Sequence, residues 1–273
     1  VRRAREPADP LQRFLAARVA DGCIPGAAWY VQAGAGAPRT GAAGWAALDP
    51  GREPLAEDTP FDLASLTKPL ATALLLALAE REGRLSFEDP AAGHVEELRG
   101  SPYAEASLLD LAAHASGLPA WKPLYGSAST LEGYLERIAA LVPAVRRGET
   151  LYSDLGYIVL GAAVERAYGE KLDALFAARV AGPLGLRTTG YAGGGRAFAS
   201  AAATERDNAY ERALAGAEAA DHPWRERIPR GLVHDANAWV VGGVAGHAGL
   251  FGPAAEVGRL GAELLSPRTL PLD

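Results

Sequence analysis

Apolar residues recur at helical spacing over 9–20, where Leu11, Phe14, Leu15 and Val19 share one side and Asp21-Gly22 supplies a stop. That pattern predicts an amphipathic helix. Gly26 to Gln32 and Thr40 to Ala46 read as short strands around Gly34-Ala35-Gly36, which predicts a hairpin. Leu48 to Pro60 carries Asp49-Pro50-Gly51 and further breakers and reads as a loop. Ser65 to Glu82 is the strongest helical stretch, rich in Leu and Ala, with Gly83 as its stop. Pro69 is tolerable there only because it falls in the first turn. Leu108 to His114, Leu131 to Leu141, Gly156 to Tyr168 and Leu172 to Val180 read as further helices, so the middle of the chain is mainly helical. From Arg187 to Gly246 the periodicity weakens into long loops of the kind that often line a site, and Val257 to Leu265 reads as a short helix.

Composition narrows the class. The 273 residues are 49% apolar and 22% charged, as in an ordinary globular protein built as one large domain or one domain with a helical insertion. The net charge of −6 comes from interspersed acids and bases, which argues against nucleic acid or an anionic membrane as partner. Oligomeric state is left open. One cysteine, Cys23, excludes an intrachain disulfide and leans the expected location toward the cytoplasm; without a basic neighbour it reads as a small apolar filler. Val1 to Arg5 is basic, but no apolar core follows it, so no signal peptide is expected. Leu70 to Ala79, the longest apolar run, is too short to span a bilayer.

Only three of the 27 basic residues are lysines, Lys68, Lys122 and Lys171. Ser65-Leu66-Thr67-Lys68 sets a hydroxyl and an amine about one helical turn apart, on one face. A serine hydroxyl needs a base to attack at neutral pH, and a buried lysine can be that base, whereas arginine does not deprotonate in proteins. The start of a helix also stabilises a developing oxyanion. Ten serines and three lysines predict about 0.1 chance matches, so the motif is moderately specific, with an N-cap serine and a solvated lysine as the alternative. Tyr152-Ser153-Asp154 precedes a helix; a phenol beside a lysine can shuttle a proton, and a polar side chain two residues on can hold the lysine or substrate. His114 reads as structural in a helix-stop turn completed by Gly117. His234-Asp235 with Asn237 reads as a loop hydrogen-bonding group, since no second histidine stands at metal spacing. Gly193-Gly194-Gly195-Arg196 lacks the ending of a phosphate loop, and Trp121, Tyr125 and Trp224 read as packing residues, with the lining of a cleft as the alternative.

Four stretches, in order, carry a family resemblance: Thr59 to Lys68, Leu109 to Pro119, Tyr152 to Tyr157, and Gly242 to Phe251. Together they resemble the serine β-lactamase and penicillin-binding-protein superfamily, in particular its class C-like branch with esterases and D-aminopeptidases. The resemblance implies an α/β (α+β) fold: an antiparallel sheet flanked by helices, with a helical subdomain at about 88–190 and a loop-rich segment at about 187–246, in one domain over 1–273. It implies Ser65 as the acylated nucleophile, Lys68 as its base or proton relay and Tyr152 as the second acid/base, with no metal or organic cofactor. Substrates would be a small ester, a β-lactam or a D-amino-acid amide. Where the family usually has Asn the chain has Asp154, which would stabilise a charged Lys68 and weaken it as a base. His247-Ala248-Gly249 fits the wording of the family's third motif, making His247 and Gly249 candidate supporting residues; the alternative is a Gly-rich segment that precedes that motif. Such relatives continue with several strands, whereas the chain stops at Asp273, so its sheet is expected to keep only the N-terminal hairpin. The competing readings are a non-catalytic penicillin-binding-like protein and a truncated, inactive homologue.

Overall fold

The computed structural model describes residues 9–193, 197–226 and 230–272; the basic N-terminal stretch, residues 194–196 of the glycine run, and Asp273 lie outside the described residues. Helix α1 (Pro10–Ala20) starts where Asp9 accepts the Leu11 N–H at 2.8 Å and Pro10 takes the first position, the place where its missing N–H costs nothing. Gln12 fastens it to the sheet, donating to the Ala42 carbonyl at 2.7 Å and accepting from the Trp29 indole at 2.9 Å. Strands β1 (Gly26–Val31) and β2 (Arg39–Ala47) form the expected antiparallel hairpin, in register from Gly26 opposite Gly44 to Val31 opposite Arg39.

The sheet expectation needs correction. A third strand, β3 (Glu53–Pro54), joins β2 beyond a register shift between Trp45 and Ala47, inside the stretch expected to be only loop. A second three-stranded sheet is built from β4 (Phe61–Asp62), β5 (Gly190–Tyr191) and β6 (Leu250–Gly252), with β6 in the centre and both pairings antiparallel. Strands of two or three residues carry no readable alternation, so only contacts between distant segments reveal them.

The long helical stretch is not one uniform α-helix. Ala64–Leu66 is a 3₁₀ turn, Lys68–Thr72 a π turn, and α2 (Ala73–Arg81) follows. Pro69 cannot donate and its ring would crowd the Ser65 carbonyl, which accounts for a wider turn at this point. The short α3 (Ala91–His94) precedes α4 (Leu108–Ala112), which opens with a reciprocal capping box between Ser107 and Asp110. It stops at His114, whose φ is +59°; the left-handed C′ residue is therefore His114 and not Gly117. Thr130 caps α5 (Leu131–Ala139) and Ser153 caps α6 (Asp154–Tyr168). α7 (Leu172–Phe176) runs through a π turn into α8 (Gly182–Leu184). The loop-rich segment holds α9 (Ala209–Ala215) and α10 (Ala236–Val240), and α11 (Ala254–Leu265) packs on β1. No helix among the described residues is long and apolar enough to cross a membrane.

Helix α6 is the centre of the core. Leu155 to Val164 are all buried, and α2, α3, α4, α5 and α7 pack around it. At Gly246 the backbone of the 242–249 segment crosses α6: a Cβ there would overlap the Tyr157 carbonyl oxygen and lie 3.0 Å from the Gly161 Cα. Gly246→Ala is therefore expected to lower the unfolding free energy by about 2–3 kcal/mol, measured as a lower urea midpoint at unchanged slope. An unchanged midpoint would show that the two backbones separate without cost.

Candidate active site

Ser65 stands at the junction of the small sheet and the long helix. The Leu63 N–H donates to the Leu250 carbonyl at 2.9 Å, and Thr67 Oγ1 accepts the Leu250 N–H at 3.1 Å, so both sides of Ser65 are fastened to β6. Ala64 has φ of +45°, an unfavourable value for a residue with a Cβ, and its N–H is held by Asp62 Oδ1 at 2.8 Å. Ser65 is exposed, whereas Lys68, one turn on, is 2% exposed.

Three oxygens surround the Lys68 nitrogen. It donates to Ser65 Oγ at 2.9 Å and to the His247 carbonyl at 3.3 Å, and forms an ion pair with Asp154 Oδ1 at 2.6 Å. Two hydrogen bonds and one ion pair thus surround the nitrogen and offset the cost of burying it. The Tyr152 and Tyr157 rings add faces at 4.9 and 5.9 Å from the nitrogen. Ser65, Lys68, Tyr152 and Asp154 thus meet, although Tyr152, half exposed, faces Lys68 with its ring.

The segment carrying Tyr152 and Asp154 is pinned along its length. Ser153 Oγ donates to the Pro119 carbonyl at 2.7 Å, and Asp154 N–H to the Ala120 carbonyl at 2.8 Å. The Ser153 N–H donates to His114 Nδ1 at 3.0 Å, which assigns a neutral imidazole bearing its proton on Nε2. Burial, with the Lys68 charge nearby, holds His114 below its ordinary pKa. Its ring lies 4.4 Å from that of Tyr152. His114 is structural, as its sequence context suggests, but the structure it supports is the site itself.

His247 reaches the site through its carbonyl. Its ring is 1% exposed and pairs through Nε2 with Asp235 Oδ1 at 2.9 Å, an oxygen that also caps α10 through the Ala238 N–H at 2.7 Å. Burial alone would lower the His247 pKa, but the Asp235 carboxylate outweighs it and holds it above the ordinary value. Gly249 has φ of +116° where the chain turns into β6, and a Cβ there would overlap the Gly243 carbonyl, so its part is to let the backbone turn. Asn237 holds the neighbouring loop through the Leu124 N–H at 3.0 Å and the Lys122 carbonyl at 2.9 Å. Tyr125 is buried against His222 and Trp224, a packing role.

Beneath the pair lies a group for which the sequence pattern offers no signal. Glu211 Oε2 accepts from Asn208 at 3.2 Å and from the Ala236 N–H at 3.1 Å, while Oε1 is buried without a hydrogen-bond partner. Burial, and next the Asp235 charge, push its carboxyl up to about 7.

The Beta-lactamase family model matches residues 11–272. Esterase EstB of Burkholderia gladioli is 35% identical over 171 residues, 55% of this chain and 43% of the relative. The N-acetylmuramyl-L-alanine amidase of Bacillus subtilis (strain 168) is 29% identical over 220 residues, 74% of this chain and 49% of the relative. The chain thus spans about half the length of these relatives. Among solved structures, a class C beta lactamase from Rhodobacter sphaeroides superposes with a TM-score of 0.72 at 24% identity, covering 94% of this chain and 65% of that one. The D-alanine carboxypeptidase AmpC from Burkholderia cenocepacia gives 0.71 at 24% identity, covering 96% and 65%. These likenesses carry the fold: β-lactamase-like, with helices and antiparallel sheets.

The buried groups set a pH dependence. Glu211 keeps its proton in the fold to about 7, whereas the ordinary value is 4.5, so its contribution to stability is whole at acid pH and lost as pH rises through about 7. His247, also raised, loses its contribution in the same direction. The melting temperature is expected to fall between about pH 5 and 8, and Glu211→Gln to flatten that fall. A variant with the wild-type slope would remove Glu211 from the explanation.

Proposed function

The chain belongs to the Beta-lactamase family, and from that premise we propose that it is a serine hydrolase acting through an acyl-enzyme on Ser65. The observation that carries the reading is the 2.9 Å hydrogen bond from buried Lys68 to exposed Ser65: the nucleophile is open to substrate while its base is shielded from water. In the proposed reaction Ser65 Oγ attacks the carbonyl carbon of an ester or amide and gives its proton to the neutral amine of Lys68. Asp154, at 2.6 Å, compensates the ammonium that forms. The leaving alkoxide or amine takes a proton from Lys68, with Tyr152 on the open side as the second acid/base. Water then attacks the acyl-Ser65 ester, returning a proton to the serine and releasing a carboxylic acid. A small ester is the proposed substrate class, supported by the likeness to an esterase at 35% identity. An amide is the alternative on the amidase likeness.

The Asp154 contact also favours a second reading, a chain that binds acyl compounds without turning them over, because an acid stands at the Lys68 nitrogen where the family resemblance implies an asparagine. A fluorophosphonate probe separates the two. Covalent labelling of the folded chain, lost in Ser65→Ala and at least about 100-fold slower in Lys68→Arg with the fold intact, is the expected result. Absence of labelling in a folded sample would sink the hydrolase reading. In Asp154→Asn, labelling at pH 7 is expected to slow several-fold, since the ammonium formed when Ser65 gives up its proton loses its carboxylate partner; a variant as fast as wild type would show that Asp154 does not assist the step.

A further inference from the structure

Five hydrogen bonds close a ring around the proposed reacting pair. Asp62 Oδ1 accepts the Ala64 N–H at 2.8 Å, and its other oxygen, Oδ2, accepts the His234 N–H at 2.8 Å. The next residue, Asp235, accepts from His247 Nε2 at 2.9 Å, and the His247 carbonyl accepts from Lys68 at 3.3 Å. Lys68 then closes the ring on Ser65 at 2.9 Å. One dipeptide, His234-Asp235, therefore holds the nucleophile turn through Asp62 and the lysine through His247, although the three segments lie far apart in sequence.

The dipeptide is itself fixed. Its His234 carbonyl accepts from Arg225 at 2.5 Å and from Asn208 at 2.8 Å, and the following Ala236 N–H donates to Glu211 at 3.1 Å. The nucleophile turn, by contrast, needs holding, because Ala64 at φ of +45° would relax toward the right-handed region if released. A carboxyl group offers one oxygen to each of the two N–H groups, whereas an asparagine has a single acceptor oxygen.

We propose that Asp62 is a positioning residue for Ser65: through His234-Asp235 it fixes the serine hydroxyl relative to Lys68, and it does so without touching substrate. The proposal rests on Ser65 being the acylated nucleophile. The backbone pairing of β4 with β6, Phe61 opposite Gly252 and Asp62 opposite Phe251, does not use the Asp62 side chain, so the fold is expected to survive its loss while the serine loses its orientation.

The test is fluorophosphonate labelling of the full chain at saturating and subsaturating probe, at a temperature well below each variant's measured melting point. Asp62→Ala is expected to lower the maximal labelling rate about ten- to a hundredfold, the scale of a misplacement near 1 Å, with the half-saturating probe concentration unchanged within about twofold. Asp62→Asn is expected to fall between Asp62→Ala and wild type, and this near-isosteric variant carries the test if Asp62→Ala does not fold. A wild-type maximal rate in a folded Asp62 variant would overturn the proposal. So would a loss confined to the half-saturating concentration, or one that tracks the unfolded fraction. A wild-type chain that is not labelled would instead overturn the Ser65 reading on which the proposal stands.

Discussion

The buried nitrogen of Lys68 is the constraint around which the site is arranged. Lys68 is almost wholly removed from water, and a charge in that position is tolerable only with close, well-placed oxygens. The chain supplies them from three separate places: Ser65 on the same turn, Asp154 at the start of α6, and the carbonyl of His247 beyond α10. Each must arrive within about 3 Å of one nitrogen, so the burial of Lys68 couples the placement of the long helix, the core helix and the Gly-rich segment.

The supporting bonds follow from that requirement. Ser153 must cap α6 and hold to Pro119 for Asp154 to point at the lysine, and His114 must accept from the Ser153 backbone. Asp235 must hold the ring of His247 for its carbonyl to face inward, and Gly246 must lack a side chain for the segment to approach Tyr157 and Gly161. Few of these residues would be read as catalytic, yet they account for a lysine that is dry while its serine partner remains open.

The fold is that of the β-lactamase family, and an acid stands beside the buried lysine. Asp154 is the ion-pair partner of Lys68 at 2.6 Å. The pair offsets part of the cost of burying the lysine.

Local order was legible in the amino-acid sequence. Helical spacing located α1, α2 and α6, alternation and turn residues located the first hairpin, and the three-residue spacing of Ser65 and Lys68 foretold their contact, because each depends on neighbours within a turn or two of chain. Only the tertiary structure decided the rest. It paired β4, β5 and β6 from segments more than 50 residues apart, turned the His247 ring away and its carbonyl toward Lys68, brought His114 beneath Tyr152, and joined Asp62 to Asp235 through one dipeptide. The physical reason is common to all of these: they are backbone and buried-carboxylate contacts between distant segments, and such contacts leave no period in the sequence by which to find them.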